Sequence, residues 1–104
     1  DLTANLLVPR RMAVPPDGVY MTTLIIDGRE LPSMTNIGNN PTFMRQYRRV
    51  ETHVINWEGN LYGKTVSVRF YKRIRDEKKF ASITELVDAM KNDEKYVLSH
   101  FSVF

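Results

Sequence analysis

The alternation of apolar and polar residues predicts several β-strands, followed by a helix at the end of the chain. Residues 19–26 are rich in β-branched and aromatic side chains, which favour strands. Asp27-Gly28 is a hairpin turn signal, so a second strand is predicted to follow over residues 29–36. Two more strands are predicted over 50–57 and 64–74, and the alternation in the latter is typical of a half-buried antiparallel strand.

The two ends of the chain have different patterns. The first 17 residues contain three prolines and an arginine pair, and they are predicted to be irregular. Near the other end, Ser82 and Glu85 have the spacing of a capping box, which satisfies free backbone amides at the start of a helix. Apolar residues at helical spacing then predict a helix of about four turns with one face on the sheet. These apolar residues are Ile83, Leu86, Val87, Met90 and Val97.

Length and element order together indicate one small domain. A chain of 104 residues builds one modest core and leaves no room for a second. Strands joined by short turns and covered by a single helix favour a mainly β fold, a small antiparallel β-barrel with a C-terminal α-helix. The domain is therefore expected to span residues 1–104.

Composition narrows the chemistry that this domain can perform. The net charge of +3 suits an anionic ligand such as a nucleoside triphosphate without requiring nucleic acid. The chain has no cysteine, which excludes disulfides, thiolate zinc sites and cysteine nucleophiles. His53 and His100 are too few for a histidine-rich metal site, but magnesium bound through oxygens remains open. With no apolar run of membrane-spanning length and no signal peptide, a cytoplasmic protein without membrane partners is expected.

Three segments contain residues suited to catalysis or ligand binding. Thr3 and Asn5 are ordinary turn formers, but in an extended segment their oxygens point the same way and suit magnesium. Residues 36–43 are either an ordinary loop or a flap that closes over a ligand. Glu51 is either a solvent-facing strand residue or a general base at the edge of a pocket. The residues alone do not specify a reaction.

The same segments, in this order, resemble the bacterial form of the riboflavin kinase family. The resemblance extends from Thr3 to about Asp93. The segments that carry it are Thr3-Ala4-Asn5, Gly18-Val19-Tyr20, Asn36 to Phe43, Glu51-Thr52-His53, Leu61-Tyr62-Gly63, Arg75 to Phe80, and the helix start at Ser82, Glu85 and Leu86.

The resemblance implies a six-stranded antiparallel Greek-key barrel that transfers a phosphoryl group from ATP to the riboflavin 5′-hydroxyl. It implies that Thr3 and Asn5 hold Mg²⁺ beside the ATP phosphates, and that Glu51 takes the proton from the hydroxyl. The further implied residues are nucleotide contacts at Thr3, Asn5, Val54, Asn56 and Tyr62, flavin contacts at Arg75, Lys78 and Phe80, and a flap containing Gly38, Asn40, Pro41, Thr42 and Phe43.

The sequence departs from the family in two places. Leu2 stands where the family has proline, which removes a fixed backbone angle before the implied magnesium residues. The family's first strand and its basic, glycine-containing phosphate loop come before the segment that begins this chain, so an N-terminally truncated domain is expected. In bacteria the family domain usually follows an FMN adenylyltransferase domain in one polypeptide, and that context is expected here. No FAD-making activity is expected of these residues themselves.

Two other functions remain open. Without the upstream strand and phosphate loop, the barrel would bind flavin or nucleotide without catalysis. A small barrel with basic and aromatic residues also suits single-stranded nucleic acid. The residues concerned are Arg45, Arg48, Arg49, Lys72, Arg73, Arg75, Tyr47 and Tyr71. The low net charge and Glu51 argue against nucleic acid, so the expected ligands are riboflavin or FMN and ATP or ADP.

Overall fold

The computed structural model describes residues 2–39 and 47–101, which form five strands and one helix. The strands are β1 (Leu2–Pro9), β2 (Gly18–Ile26), β3 (Arg29–Asn39), β4 (Tyr47–Val54) and β5 (Ser67–Arg75), and the helix is α1 (Ile83–Phe101). In this part of the chain, no helix has both the length and the apolar character needed to cross a membrane.

The five strands form one antiparallel sheet in the order β1-β4-β3-β2-β5. Strands β2, β3 and β4 are consecutive neighbours, whereas β1 lies beside β4 at one edge and the chain must cross to reach β2. This arrangement is a Greek key. With five strands and one C-terminal helix, the predicted mainly β class is confirmed.

The first segment of the chain is a strand, so the prediction that it is irregular was wrong. Strand β1 pairs with β4 along its whole length. Its side chains are exposed or half-buried, and its local pattern therefore carries little strand signal. The strand is fixed by a non-local pairing that short-range propensity does not report. Its extended backbone sets Thr3 and Asn5 on one face of the sheet.

The other predicted strands are present, although several of their ends are shifted. The hairpin at Asp27-Gly28 is as predicted, and both residues have a positive φ, 50° and 75°, as a tight hairpin turn requires. Strand β3 continues to Asn39, beyond the predicted end, because it keeps pairing with β4. Strand β4 starts and ends earlier than the predicted 50–57, and the positive φ of Asn56 (52°) turns the chain out of the sheet.

One face of the sheet encloses the larger apolar core. Its buried apolar residues are Tyr20, Leu24, Ile26, Leu31, Ile37, Val50 and Val54. A line of buried hydroxyls crosses this face. Thr22 lies 2.7 Å from the hydroxyl of Ser33 and 2.9 Å from that of Thr35, and Thr35 lies 2.9 Å from that of Thr52. Because each hydroxyl has a partner, the cost of burying it is largely offset.

Helix α1 begins with the predicted capping box. The Ser82 hydroxyl accepts a hydrogen bond from the amide of Glu85 (3.2 Å), and the Glu85 carboxylate accepts one from the amide of Ala81 (3.0 Å). The helix is 19 residues long, which is more than the four turns predicted.

The helix covers the opposite face of the sheet only through its second half. Val97 is fully buried there with Met21, Met34 and Ile55. The first turns do not reach the sheet: Ile83 is 80% exposed, and Leu86 and Val87 are each 40% exposed. The prediction that these residues pack on the sheet was therefore wrong. The helix diverges from the sheet at this end and leaves a space between the two.

Candidate active site

Strand β4 presents three polar side chains to this space. Residues of a strand point alternately to opposite faces, and the alternate residues Val50, Thr52 and Val54 are buried in the larger core. Arg49, Glu51 and His53 therefore point the other way, towards the helix.

These three side chains line a cavity of about 840 Å³. Its other walls are the segment that leads from β5 into α1 and the first turns of the helix. Five of the residues predicted to act on substrates or metal line it: Thr3, Glu51, Arg75, Lys78 and Phe80. The structure thus brings together the predicted base, one predicted magnesium ligand and all the predicted flavin contacts.

The carboxylate of Glu51 is held within a charge network. Its Oε1 lies 2.9 Å from Nε of Arg49, an electrostatic contact in which the N–H is not directed along a hydrogen bond. Arg49 also donates from Nη2 to Oε1 of Glu77 over 3.1 Å. The Glu51 side chain remains 35% exposed. It is therefore positioned by a neighbour and still open to a ligand in the cavity.

A second network links Thr3 to the helix through His53. The Thr3 hydroxyl lies 3.1 Å from Nδ1 of His53, and Nε2 of the same ring lies 3.2 Å from Oε1 of Glu94. An ionised carboxylate only accepts hydrogen bonds, so Nε2 carries a proton towards Glu94. In the neutral ring, Nδ1 is then the acceptor and the Thr3 hydroxyl is the donor. This arrangement leaves the lone pairs of the Thr3 oxygen available to a cation.

The donor set around Thr3 fits a magnesium ion. Thr3 and Asn5 offer neutral oxygens on one face of β1, and Asn5 lies directly opposite Glu51 in the strand register. Oxygen ligands of this kind, completed by substrate phosphates, are what Mg²⁺ prefers. Over residues 2–39 and 47–101, no three or more histidine, aspartate or glutamate side chains are grouped to hold a metal. Retention of Mg²⁺ here would therefore depend on phosphate oxygens.

The three predicted flavin contacts form another part of the cavity wall. Phe80 carries two cations against its ring, with the Arg75 guanidinium 5.7 Å and the Lys78 ammonium 5.1 Å from the ring centroid. Arg75 is held by Asp93. The Asp93 carboxylate accepts hydrogen bonds from Nε of Arg75 at 3.2 Å and from its Nη2 at 2.8 Å. Shifts in the β2–β5 register place Arg75 opposite Val19, on the cavity side of the sheet.

The remaining predicted nucleotide contacts do not line this cavity. Val54 is fully buried on the other face of the sheet, so its side chain is not exposed to a ligand in this cavity. Asn56 follows the end of β4, and Tyr62 is 91% exposed. Of the predicted flap, Gly38 lies in β3, whereas Asn40, Pro41, Thr42 and Phe43 fall outside the described residues.

Gly38 allows Glu77 to lie against the sheet. A Cβ at this position would collide with the Glu77 carboxylate. The absence of a side chain therefore lets Glu77 approach β3 and reach Arg49. Gly38 acts here through close packing, in addition to the flap role that the resemblance implies.

A smaller cavity, of about 270 Å³, shares no lining residue with the first. Its charged group is Glu30, which accepts hydrogen bonds from the hydroxyls of Tyr71 (2.6 Å) and Thr23 (2.8 Å). The Tyr71 bond, followed by the Thr23 bond and the charge of Arg69, holds the pKa of Glu30 below its ordinary value. These bonds tie the β2–β3 hairpin to β5, which indicates a structural cluster.

Several residues in or beside the cavity were not predicted to take part in a kinase site, and Arg49 was named only as a possible nucleic-acid contact. Arg49 precedes Glu51 by two positions, and this period of two would have placed both on one face. Glu77, Glu94 and Asp93 belong to other elements, and their partners lie far away in the chain. No spacing rule connects residues so distant, and only the fold reveals these contacts.

Known relatives cover nearly the whole of this chain. Residues 2–101 match the family model described as "Flavokinase: Riboflavin kinase". A bifunctional riboflavin kinase/FMN adenylyltransferase of Bacillus subtilis is 32% identical over 103 residues, which are 96% of this chain and 33% of that protein. A trifunctional protein RibF/MnmA of Mycoplasmoides gallisepticum is 34% identical over 100 residues, which are 96% of this chain and 15% of that protein. The chain thus spans a third or less of these relatives.

A solved structure has the same fold. The crystal structure of a protein described as a macrolide-efflux protein, from Streptococcus pneumoniae, aligns with a TM-score of 0.80 and 38% identity. The alignment covers 91% of this chain and 31% of that one. The family model extends over almost all the described residues, including those that line the larger cavity. The chain belongs to the riboflavin kinase family.

Proposed function

We propose that this chain is a riboflavin kinase domain that transfers the terminal phosphoryl group of ATP to the 5′-hydroxyl of riboflavin, giving FMN and ADP. The observation that carries the proposal is the larger cavity. It is lined by Glu51 and Thr3 and also by Phe80, which has two cations near its ring. A base for the hydroxyl, oxygens for a metal–phosphate complex and an aromatic side chain for a ring are thus combined in one space.

In this proposal Glu51 is the general base. The hydroxyl oxygen forms a bond to the terminal phosphorus while the bond from phosphorus to the ADP oxygen breaks. The proton of the hydroxyl passes to the Glu51 carboxylate. Arg49, 2.9 Å away, holds the carboxylate in place, and Glu77 holds Arg49. Positioning of this kind accounts for much of the rate in phosphoryl transfer.

Thr3 and Asn5 would hold Mg²⁺ beside the ATP phosphates. The ion would neutralise the phosphate charge and orient the terminal group. The Thr3 hydroxyl directs its proton to His53, and Glu94 holds the His53 ring in turn. The lone pairs of the Thr3 oxygen are then available to the ion. Val54, Asn56 and Tyr62 are proposed to contact the nucleotide outside the cavity, and residues 40–43 to close over it as part of the flap.

The flavin is proposed to bind against Arg75, Lys78 and Phe80. The flat isoalloxazine ring would pack on Phe80, and Arg75 and Lys78 would donate hydrogen bonds to its carbonyl oxygens or neutralise the phosphate of FMN. Arg75 is already oriented by Asp93, so little side-chain entropy is lost on binding.

The domain is proposed to work within a longer polypeptide. The names of the Bacillus relative and of several others include FMN adenylyltransferase. This chain matches a third or less of the length of each of these proteins. We propose residues 1–104 as the kinase part of such a protein.

The experiment is to incubate the chain with riboflavin, ATP and Mg²⁺ and to measure FMN by chromatography. Glu51→Gln removes the base, and Glu58→Gln, an exposed glutamate beyond β4, is the matched control. FMN formation by the parent and by Glu58→Gln, with loss in Glu51→Gln, is expected. If the parent binds flavin without forming FMN, the measurement is repeated with the native upstream sequence restored. Continued absence of FMN would leave a binding module without catalysis.

A further inference from the structure

Glu77 offers the cavity a carboxylate that the protein holds at one oxygen only. It lies in the segment between β5 and α1, lines the cavity and has a side chain that is 28% exposed. Its Oε1 accepts the hydrogen bond from Nη2 of Arg49, whereas Oε2 has no hydrogen-bond donor among residues 2–39 and 47–101. An ionised carboxylate can accept about four hydrogen bonds, so Glu77 keeps most of this capacity for a ligand.

The position of this carboxylate is fixed relative to the candidate base. Arg49 contacts Glu51 through Nε at 2.9 Å and Glu77 through Nη2 at 3.1 Å. Both nitrogens belong to one small, planar guanidinium, so the nearest oxygens of the two carboxylates are at most about 8 Å apart. Glu77 also packs closely against Gly38, which limits its movement further. The two acids therefore form a pair of acceptors at a bounded distance.

This pair suits a neutral ligand group that donates hydrogen bonds. Two carboxylates share one guanidinium here, so the local charge disfavours phosphate oxygens and favours hydroxyl groups. One O–H···O bond of about 2.7 Å to each carboxylate would leave about 3 Å between the two hydroxyl oxygens, even at the longest span. Hydroxyls on adjacent carbon atoms have this separation. The pair therefore fits two neighbouring hydroxyls of a polyol chain.

Riboflavin carries such a pair at the end of its ribityl chain. We propose that the Glu77 carboxylate accepts a hydrogen bond from the 4′-hydroxyl while Glu51 accepts one from the 5′-hydroxyl. This inference rests on the proposed function, because it takes the 5′-hydroxyl to lie at Glu51. The 4′-hydroxyl is on the adjacent carbon, so the contact does not depend on where the ring lies. Glu77 would then select substrates with a hydroxyl beside the one that is phosphorylated.

The test measures dissociation constants for riboflavin and its 2′-, 3′- and 4′-deoxy analogues by quenching of flavin fluorescence. The parent is compared with Glu77→Ala and Glu77→Gln, and Glu58→Ala, at an exposed glutamate beyond β4, is the control. Glu77→Ala is expected to weaken riboflavin binding about tenfold, because a hydrogen bond to a charged group is lost. This loss should disappear with the 4′-deoxy analogue and persist with the other two. Glu77→Gln keeps a neutral acceptor, so its loss should be smaller and should depend on the same hydroxyl.

Three results would overturn the inference. The first is an equal loss on riboflavin and all three analogues, which would mean that Glu77 acts only by holding Arg49. The second is a loss that disappears with the 2′- or 3′-deoxy analogue instead, and the third is no loss on riboflavin.

The binding measurement also separates this inference from the proposed function. A parent whose binding shows the expected dependence on Glu77 and the 4′-hydroxyl, but which forms no FMN even with the native upstream sequence restored, contradicts the kinase proposal alone. FMN formation without that dependence contradicts this inference alone. A parent that binds no riboflavin contradicts both.

Discussion

The ion pair between Arg75 and Asp93 links the stability of the domain to the proposed flavin site. The Asp93 side chain is only 6% exposed and that of Arg75 is 26% exposed. Two guanidinium nitrogens reach the carboxylate, the closer at 2.8 Å. In Asp93→Ala, the guanidinium would stay largely buried without its partner. This change should lower both the free energy of unfolding and the affinity for flavin.

The magnitude follows from the burial of the pair. Removing one partner of a buried ion pair costs about 3–5 kcal/mol. Arg75 keeps some contact with water and also donates to the backbone carbonyl of Asp76 at 3.1 Å, so the lower end, about 3 kcal/mol, applies. With an m-value of about 1.5 kcal/mol/M, the urea midpoint should fall by roughly 2 M. Riboflavin affinity should fall as well, because Arg75 is no longer held against Phe80.

Urea unfolding followed by circular dichroism measures the first effect, and flavin fluorescence measures the second. Asp88→Ala, an exposed aspartate of the same helix, is the control. The double variant Arg75→Met with Asp93→Leu replaces the whole pair with apolar side chains, which is often close to neutral for stability. It should recover most of the urea midpoint while riboflavin binding stays weak. A midpoint for Asp93→Ala equal to that for Asp88→Ala would refute the reasoning.

Three further perturbations test other parts of the structure. Thr35→Val removes the central hydroxyl of the buried line and should cost about 1–3 kcal/mol, seen as a lower urea midpoint; an unchanged midpoint would contradict this. Gly38→Ala should displace Glu77 from Arg49, loosen the Glu51 carboxylate and lower kcat, and it should have no such effect in a Glu77→Ala background; an unchanged kcat would contradict this. The Tyr71 hydroxyl is the main cause of the lowered pKa of Glu30. The Glu30 carboxylate should therefore stabilise the fold above its ordinary pKa of 4.5. This stabilisation should be lost as the pH falls through the lower pKa that Glu30 has in the folded state. The urea midpoints of the parent and Glu30→Gln should therefore converge on acidification, and a constant difference would contradict the assignment.

Much of the fold was predictable because its signals are local. The β-branched run of β2, the Asp27-Gly28 turn and the capping box at Ser82 each act within a few residues, and the structure contains all of them. Strand β1 was missed because its side chains are exposed or half-buried, and its pairing with β4 joins segments far apart in the chain. The first turns of α1 were misjudged because apolar spacing does not report whether a helix diverges from a sheet.

The candidate site was predictable only in part. The resemblance assigned roles to Thr3, Glu51 and Phe80, and the structure gathers them around one cavity. The residues that position them are held by contacts between distant segments, Arg49 by Glu77 and Arg75 by Asp93.

The most direct test of the central proposal is the rate of a single turnover with enzyme in excess of riboflavin, at saturating ATP and Mg²⁺. Parent and Glu51→Gln are compared by rapid quenching and chromatography of FMN, using the polypeptide that supports turnover. If Glu51 is the base, Glu51→Gln should slow the phosphoryl-transfer step by about 10²–10⁴-fold while riboflavin and ATP bind with little change. A Glu51→Gln rate within a few-fold of the parent rate, with both ligands bound, would contradict the account.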